Sequence, residues 1–375
     1  VRKIVLPGAL IQISLTTLAG SLIAVMVLGL PPSAAIVIGL SMAIASTAVV
    51  TRTLDERRQL TSVSGRVALG WLVVQDLAVI IALVLVPVFG QSQNVGTGEL
   101  AAILGKTLLQ VTGFVVVIGF GGRRVIPWLL NYVARVGSRE MFTLAVIVIA
   151  LGIAYGSSVI FGVSLALGAF FAGVVIGESD LNLHAASEAL SMQQVFTILF
   201  FVSVGMLFDP RSVLDMPIEI LAFLATIILG TGFLTFVLLL FLRVPITAAA
   251  LVGGAFSQIG EFSFVLGELG FRSGFYGTSE RDLIVAVALL SIMLNPVMMW
   301  CAIRFGRWLR HQPQFNEWRR HEQEFHLPDI EGLSEHTILI GHGRVGRIVA
   351  GALQEHGLRY VSIESDRKLT ERIRQ

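Results

Sequence analysis

Residues 66–89 read RVALGWLVVQDLAVIIALVLVPVF, an apolar run that carries one acid, Asp76, near its middle. A helix that crosses a bilayer needs roughly 20 such residues. Asp76 stands about ten residues past Arg66, which sets it at mid-bilayer depth. A bare carboxylate there costs roughly 2.5 to 3.5 kcal/mol. Either a proton or a dehydrated cation relieves that cost, and taking one excludes the other. Such competition is the chemistry of exchange. Gln75 adds an amide oxygen beside the acid without a second charge, so one cation per proton is the simplest stoichiometry. The plain alternative is a packing aspartate hydrogen-bonded to a neighbouring helix.

The rest of the chain agrees with a membrane setting. Of 375 residues, 55% are hydrophobic and 14% charged, against about a quarter charged in soluble domains. The net charge of +2 carries little as a total. Cys301 is the one cysteine, so no disulfide forms within the chain. Both ends read as cut: the chain starts at Val1, and Leu369 to Gln375 stop inside a helical pattern.

Apolar runs at about 8–28, 33–51, 66–89, 99–120, 140–159, 162–178, 194–208, 217–242, 247–270 and 281–304 predict ten spans. Arg2, Lys3, Arg52, Arg57, Arg58, Arg66, Arg123, Arg124, Arg135, Arg139, Arg243, Arg304, Arg307 and Arg310 all fall on one side if the spans alternate. The other side holds only Arg211, Arg272 and Arg281. The positive side is the cytoplasm. Residues 123–136 and 180–193 mix apolar and polar residues at helical spacing, and read as connecting helices at the cytoplasmic interface.

Two spans are interrupted by small and polar residues. The second contains Ala45-Ser46-Thr47-Ala48; the ninth contains Gly253-Gly254 and then Ser257-Gln258-Ile259-Gly260-Glu261. The first three and last three spans run in opposite senses, and the broken span is the middle one of each trio. That placement predicts an inverted repeat with an ion site at the breaks, where freed backbone is tolerated only against protein or a water cavity. Small residues that merely permit close packing are the competing reading. Glu261 has two readings: it lines the ion path, or it caps the second half-helix. Glu268 reads as solvated, Lys106 as a snorkelling lysine and Asn295-Pro296 as a helix kink.

Residues 308–334 read as a polar cytoplasmic linker after a transmembrane part at 1–307. In 335–375 a strand-like run to Ile340 leads into Gly341-His-Gly343-Arg344-Val-Gly346, then a helical pattern, then a second strand ending at Glu364. In that context the motif is a dinucleotide fingerprint, with pyrophosphate on the helix N-terminus and Glu364 on a ribose hydroxyl. An acid there favours NAD(H) or another adenine nucleotide over a 2′-phosphate. Only the first strand–helix–strand is present, so this piece alone is expected to bind none. No catalytic dyad stands near the glycines, which argues against an enzyme.

Ser46-Thr47-Ala48, Gln75-Asp76, Phe200-Phe201-Val-Ser-Val-Gly205-Met206, Ser257 to Phe262 and Gly341 to Gly346 together resemble the Kef-type cation:proton antiporters along essentially the whole chain. The resemblance implies an all-α polytopic membrane protein of inverted-repeat, sodium/proton-antiporter-like fold. Two crossed discontinuous helices would be followed by the beginning of an α/β Rossmann domain. It implies about thirteen spans, three of them before Val1, and a dimer in the plasma (inner) membrane with its C-terminal domain cytoplasmic. A soluble regulatory subunit is a further candidate partner; nucleic acid is not. Carried onto this chain, Asp76 holds K+ or Na+ in exchange for H+, with Gln75, Ser46, Thr47, Gln258 and Glu261 around it. The Gln-Asp pair resembles the potassium-handling members. The 180–193 segment resembles a loop that contacts the regulatory domain in some relatives. Where many relatives carry a lysine, this chain has Thr231. A ligand-gated potassium efflux channel-like system is the alternative that the same residues allow.

Overall fold

A computed structural model describes residues 2–91, 97–179, 181–208, 210–312 and 336–364. The chain divides into two compact units, residues 1–316 and 317–375. The first is all helix. The order is α1 (Arg2–Leu28), α2 (Pro32–Ser41), α3 (Thr47–Glu56), α4 (Val63–Gln91), α5 (Thr97–Val116), a π turn (Val117–Gly122), α6 (Arg123–Val136), α7 (Arg139–Phe161), α8 (Leu165–Gly177) and α9 (Asn182–Leu207). There follow α10 (Arg211–Asp215), α11 (Pro217–Thr226), a second π turn (Ile227–Phe233), α12 (Leu234–Phe241), α13 (Ile246–Ala255), α14 (Glu261–Arg272) and α15 (Thr278–Arg310). Seven described helices are long and apolar enough to cross a membrane, and shorter apolar helices stand at Pro32–Ser41, Leu167–Gly177 and Ile246–Ala255. This is a multi-pass membrane protein.

Both interrupted spans are pairs of short helices. The second is α2 and α3, separated at Met42–Ser46; the ninth is α13 and α14, separated at Phe256–Gly260. Prolines set the first half in each case. Pro32 opens α2 and Pro245 precedes α13, where a fixed φ and a missing N–H cost nothing.

Both segments expected as connecting helices are helical, each joined to a longer helix. Residues 123–136 continue α5 through the π turn, and residues 182–193 are the first turns of α9. Gly119, Gly121 and Gly122 let the helix widen at the turn instead of breaking. One polar residue of early α9 has its partners far off in the chain. Glu188 is buried against α7, where it accepts from Arg139 Nε at 2.6 Å and Thr143 Oγ1 at 2.9 Å. Just before α9, Arg123 donates to Glu178, whose carboxyl that guanidinium holds below the usual range.

Two buried apolar clusters flank the breaks. One gathers Met42, Ile227, Ile259 and Phe264 with the first half of α15. The other gathers Ala45, Trp71, Ala255, Phe256 and Met299. Each break therefore contributes to both clusters, and its polar backbone lies between them.

In the second unit, β1 (Thr337–Ile340) and β2 (Tyr360–Ile363) pair in parallel, in register Thr337↔Tyr360 to Ile340↔Ile363, with α16 (Arg344–Glu355) between them in sequence. Most of the expected linker, residues 313–334, lies outside the described residues. So do residues 365–375.

Candidate functional site

The site is built from four half-helix ends and the helices behind them. Ser46 caps α3: its Oγ accepts from Val49 N at 3.2 Å. The same hydroxyl donates to the Glu261 carboxylate at 2.9 Å, on the first turn of α14. Glu261 therefore joins the two breaks, a role outside both sequence readings.

The breaks also touch through backbone. Gly260 N donates to Ile44 O at 3.1 Å. A Cβ on Gly260 would lie 2.6 Å from Ser46 Cα, so only glycine permits this approach. Gln258 is fully buried, with Nε2 3.5 Å from Ser46 O. Its Oε1 has no hydrogen-bond partner among the described residues. An orphaned buried acceptor costs about 1–3 kcal/mol.

Asp76 lies on α4 and is partly buried. Thr47 Oγ1 stands 3.5 and 3.4 Å from its two carboxylate oxygens. Those are long contacts, so the carboxylate is held loosely. Both acids face helix N-termini, Asp76 at α3 and Glu261 at α14, where the macrodipole favours negative charge. Thus Asp76, Thr47, Ser46, Glu261 and Gln258 are brought together.

Gln75 is placed differently from expectation. It is fully buried and engages the α2–α3 break, accepting on Oε1 from Ala45 N at 3.2 Å and donating from Nε2 to Ala43 O at 3.2 Å and to Gln12 Oε1 at 2.7 Å. Adjacent positions on a helix lie about 100° apart, so Gln75 and Asp76 serve different neighbours.

The carbonyls freed by the breaks find donors on neighbouring helices, in roles that the sequence did not assign. Thr231, on the second π turn, donates to Met42 O at 3.0 Å. Ser263 Oγ donates to Ser41 O at 2.5 Å. Asn295 Nδ2 donates to Gly254 O at 3.0 Å and Ala255 O at 3.3 Å, so it caps α13. Ser291 Oγ accepts from Ile259 N at 3.3 Å. Two signals were available: Gly230-Thr231-Gly232, small residues at a π turn, and a lone amide at Asn295 in an apolar run.

The glycine motif in the second unit is also formed. Gly341 has φ +88°, Gly343 is the N-cap of α16, and His342 N donates to Glu364 Oε2 at 2.6 Å. Glu364 thus sits at the strand end beside the turn.

The sodium/hydrogen exchanger transmembrane family matches residues 1–300. Aligned over 378 residues, the chain is 38% identical to the putative cation/proton antiporter YbaL of Escherichia coli strain K12, with 100% of this chain and 67% of that protein covered. It is 30% identical to the chloroplastic K(+) efflux antiporter 1 of Arabidopsis thaliana, over 95% of this chain and 30% of that protein. It is 28% identical to the putative K(+) efflux antiporter KefB of Alkalimonas amylolytica, over 95% of this chain and 53% of that protein.

Proposed function

The chain belongs to the sodium/hydrogen exchanger family, among Kef-type antiporters and not enzymes, and from that premise we propose that it exchanges a monovalent cation, K+ by preference, for H+ at Asp76. The observation that carries this is the loosely held Asp76 carboxylate, opposite Thr47, where two interrupted helices meet. A carboxylate pinned by short hydrogen bonds would be a packing residue. One with long contacts has room to trade a proton for an ion, and the orphaned Gln258 amide oxygen at the other break is an unsatisfied acceptor.

The cation would be held by the Asp76 carboxylate and Thr47 Oγ1, with Ser46, Gln258 Oε1 and Glu261 around them. Release of a proton from Asp76 creates the charge that draws the cation; arrival of a proton expels it. The two broken helices would cross as an inverted repeat. Alternating access would carry the site between membrane faces, past the apolar clusters on either side of the breaks.

The β1–α16–β2 unit supports a start of a Rossmann-type regulatory domain, with Gly341, Gly343, Arg344 and Gly346 at a pyrophosphate and Glu364 at a ribose. NAD(H) or another adenine nucleotide is the ligand class. In the full-length protein, NADH and AMP should raise the melting temperature, and Gly341→Val should abolish the shift; no shift in the parent removes nucleotide control. We further place the protein in the plasma membrane as a homodimer with a cytoplasmic tail. A monomeric mass in native membrane nanodiscs would oppose the dimer.

The transport test is Asp76→Asn in inverted vesicles carrying a pH-sensitive dye. Adding K+ should collapse a preset proton gradient in the parent and leave it standing in the variant. Equal collapse in both removes Asp76 from the mechanism. Saturable K+ flux that moves no protons would support the channel-like alternative.

A further inference from the structure

We propose that Gln12, on α1, is a positioning residue that sets the ion preference of the site without touching the ion. The proposal rests on the reading of Asp76 as the cation carrier. Gln12 is fully buried, and its carboxamide is saturated. Oε1 accepts from Gln75 Nε2 at 2.7 Å and from Trp71 Nε1 at 3.3 Å. Nε2 donates to Ala43 O at 3.0 Å and to Thr16 Oγ1 at 3.2 Å. A primary amide has two lone pairs on oxygen and two N–H groups, so all four places are filled. The amide has one orientation: a flip would set oxygen against the Ala43 carbonyl and N–H against the Trp71 N–H.

That orientation passes to Gln75. Its Nε2 is committed to Gln12 Oε1 and Ala43 O, which leaves its Oε1 to receive Ala45 N. Three consecutive carbonyls of the α2–α3 break are then taken by protein donors: Met42 O by Thr231, Ala43 O by Gln12 and Gln75, and Ile44 O by Gly260 N. None of the three is free to swing toward an ion. With those three carbonyls withheld, side-chain oxygens, chiefly those of Asp76 and Thr47 with Gln258 Oε1, weigh more in the coordinating set. Ion selectivity depends on how many oxygens are offered and how firmly they are held. Releasing Gln12 would take one of the two donors from the Ala43 carbonyl and let Gln75 turn, which loosens the oxygens beside the site.

The test uses full-length protein in proteoliposomes, with exchange measured against K+, Na+ and Rb+. Gln12→Leu should raise the apparent KM for the preferred ion several-fold and shrink the preference ratio by a similar factor. Its maximal rate should stay within about two-fold, a split that general destabilisation would not produce. Gln12→Leu with Gln75→Leu should be no worse than the poorer single variant, because both act through one network. Trp71→Phe removes one donor and keeps a smaller aromatic ring in its place; it should shift the same ratio more mildly, and it serves if Gln12→Leu does not fold. Unchanged KM and preference in Gln12→Leu, or in Trp71→Phe where only that variant folds, overturns the proposal. So do independent, multiplicative effects of Gln12 and Gln75. Exchange surviving in Asp76→Asn overturns the ion-site reading, whereas exchange lost there with preference unmoved in Gln12→Leu overturns only the role of Gln12.

Discussion

The Ser46 hydroxyl donates to the Glu261 carboxylate at 2.9 Å, across 215 positions of sequence, and so ties the first turn of α3 to the first turn of α14. Because Ser46 Oγ also caps α3, one atom serves both helices. Two half-helix N-termini and their acids are thereby held as one unit.

Ser46→Ala removes the cap and the link together. A lost N-cap costs about 0.5–2 kcal/mol, and Glu261 loses its donor. We expect a lower melting temperature and a severalfold weaker apparent cation affinity, read by fluorescence thermal shift and vesicle exchange. Ser46→Thr keeps the hydroxyl and should recover most of both. An alanine variant with parent-like affinity would show that the link does not shape the site.

Gly260→Ala places a methyl 2.6 Å from Ser46 Cα. Backbone on both sides cannot yield without parting the breaks, so overpacking of about 1–3 kcal/mol is expected. Transport should fall to near background while the protein still reaches the membrane. Ordinary exchange by this variant would mean that the breaks separate easily.

Asn295→Leu removes the side-chain donor shared by the Gly254 and Ala255 carbonyls at the end of α13, while Gly254 O keeps Ser257 N at 3.3 Å. Interhelical hydrogen bonds in membranes average only about 0.6 kcal/mol each, so the loss should stay near 1 kcal/mol. The variant should transport with a modestly reduced melting temperature. A large collapse would assign Asn295 a wider role than capping.

Much of this arrangement could be read from residue types. Asp76 stood out because an acid in an apolar span is expensive, and the breaks showed because Ser, Gly and Gln interrupt otherwise continuous runs. What could not be read was direction. Gln75 and Asp76 are neighbours in sequence, yet one holds the break and the other faces Thr47. Gln12 gave no local signal and Asn295 read as part of a kink, since a single amide in a span is inexpensive and its partners lie on other helices. Glu188 on early α9 is a like case: it finds Arg139 and Thr143 on another helix, which no local pattern announces.

The competition between H+ and the cation for one carboxylate is tested most directly by the apparent KM for K+, measured in proteoliposomes across a pH series from acid to alkaline. Shared occupancy of Asp76 requires KM to rise about tenfold for each pH unit of acidification once the carboxylate protonates, with the maximal rate at saturating K+ unchanged, and to level off at alkaline pH. A KM that is flat with pH while the maximal rate falls would mean that proton and cation bind at separate places.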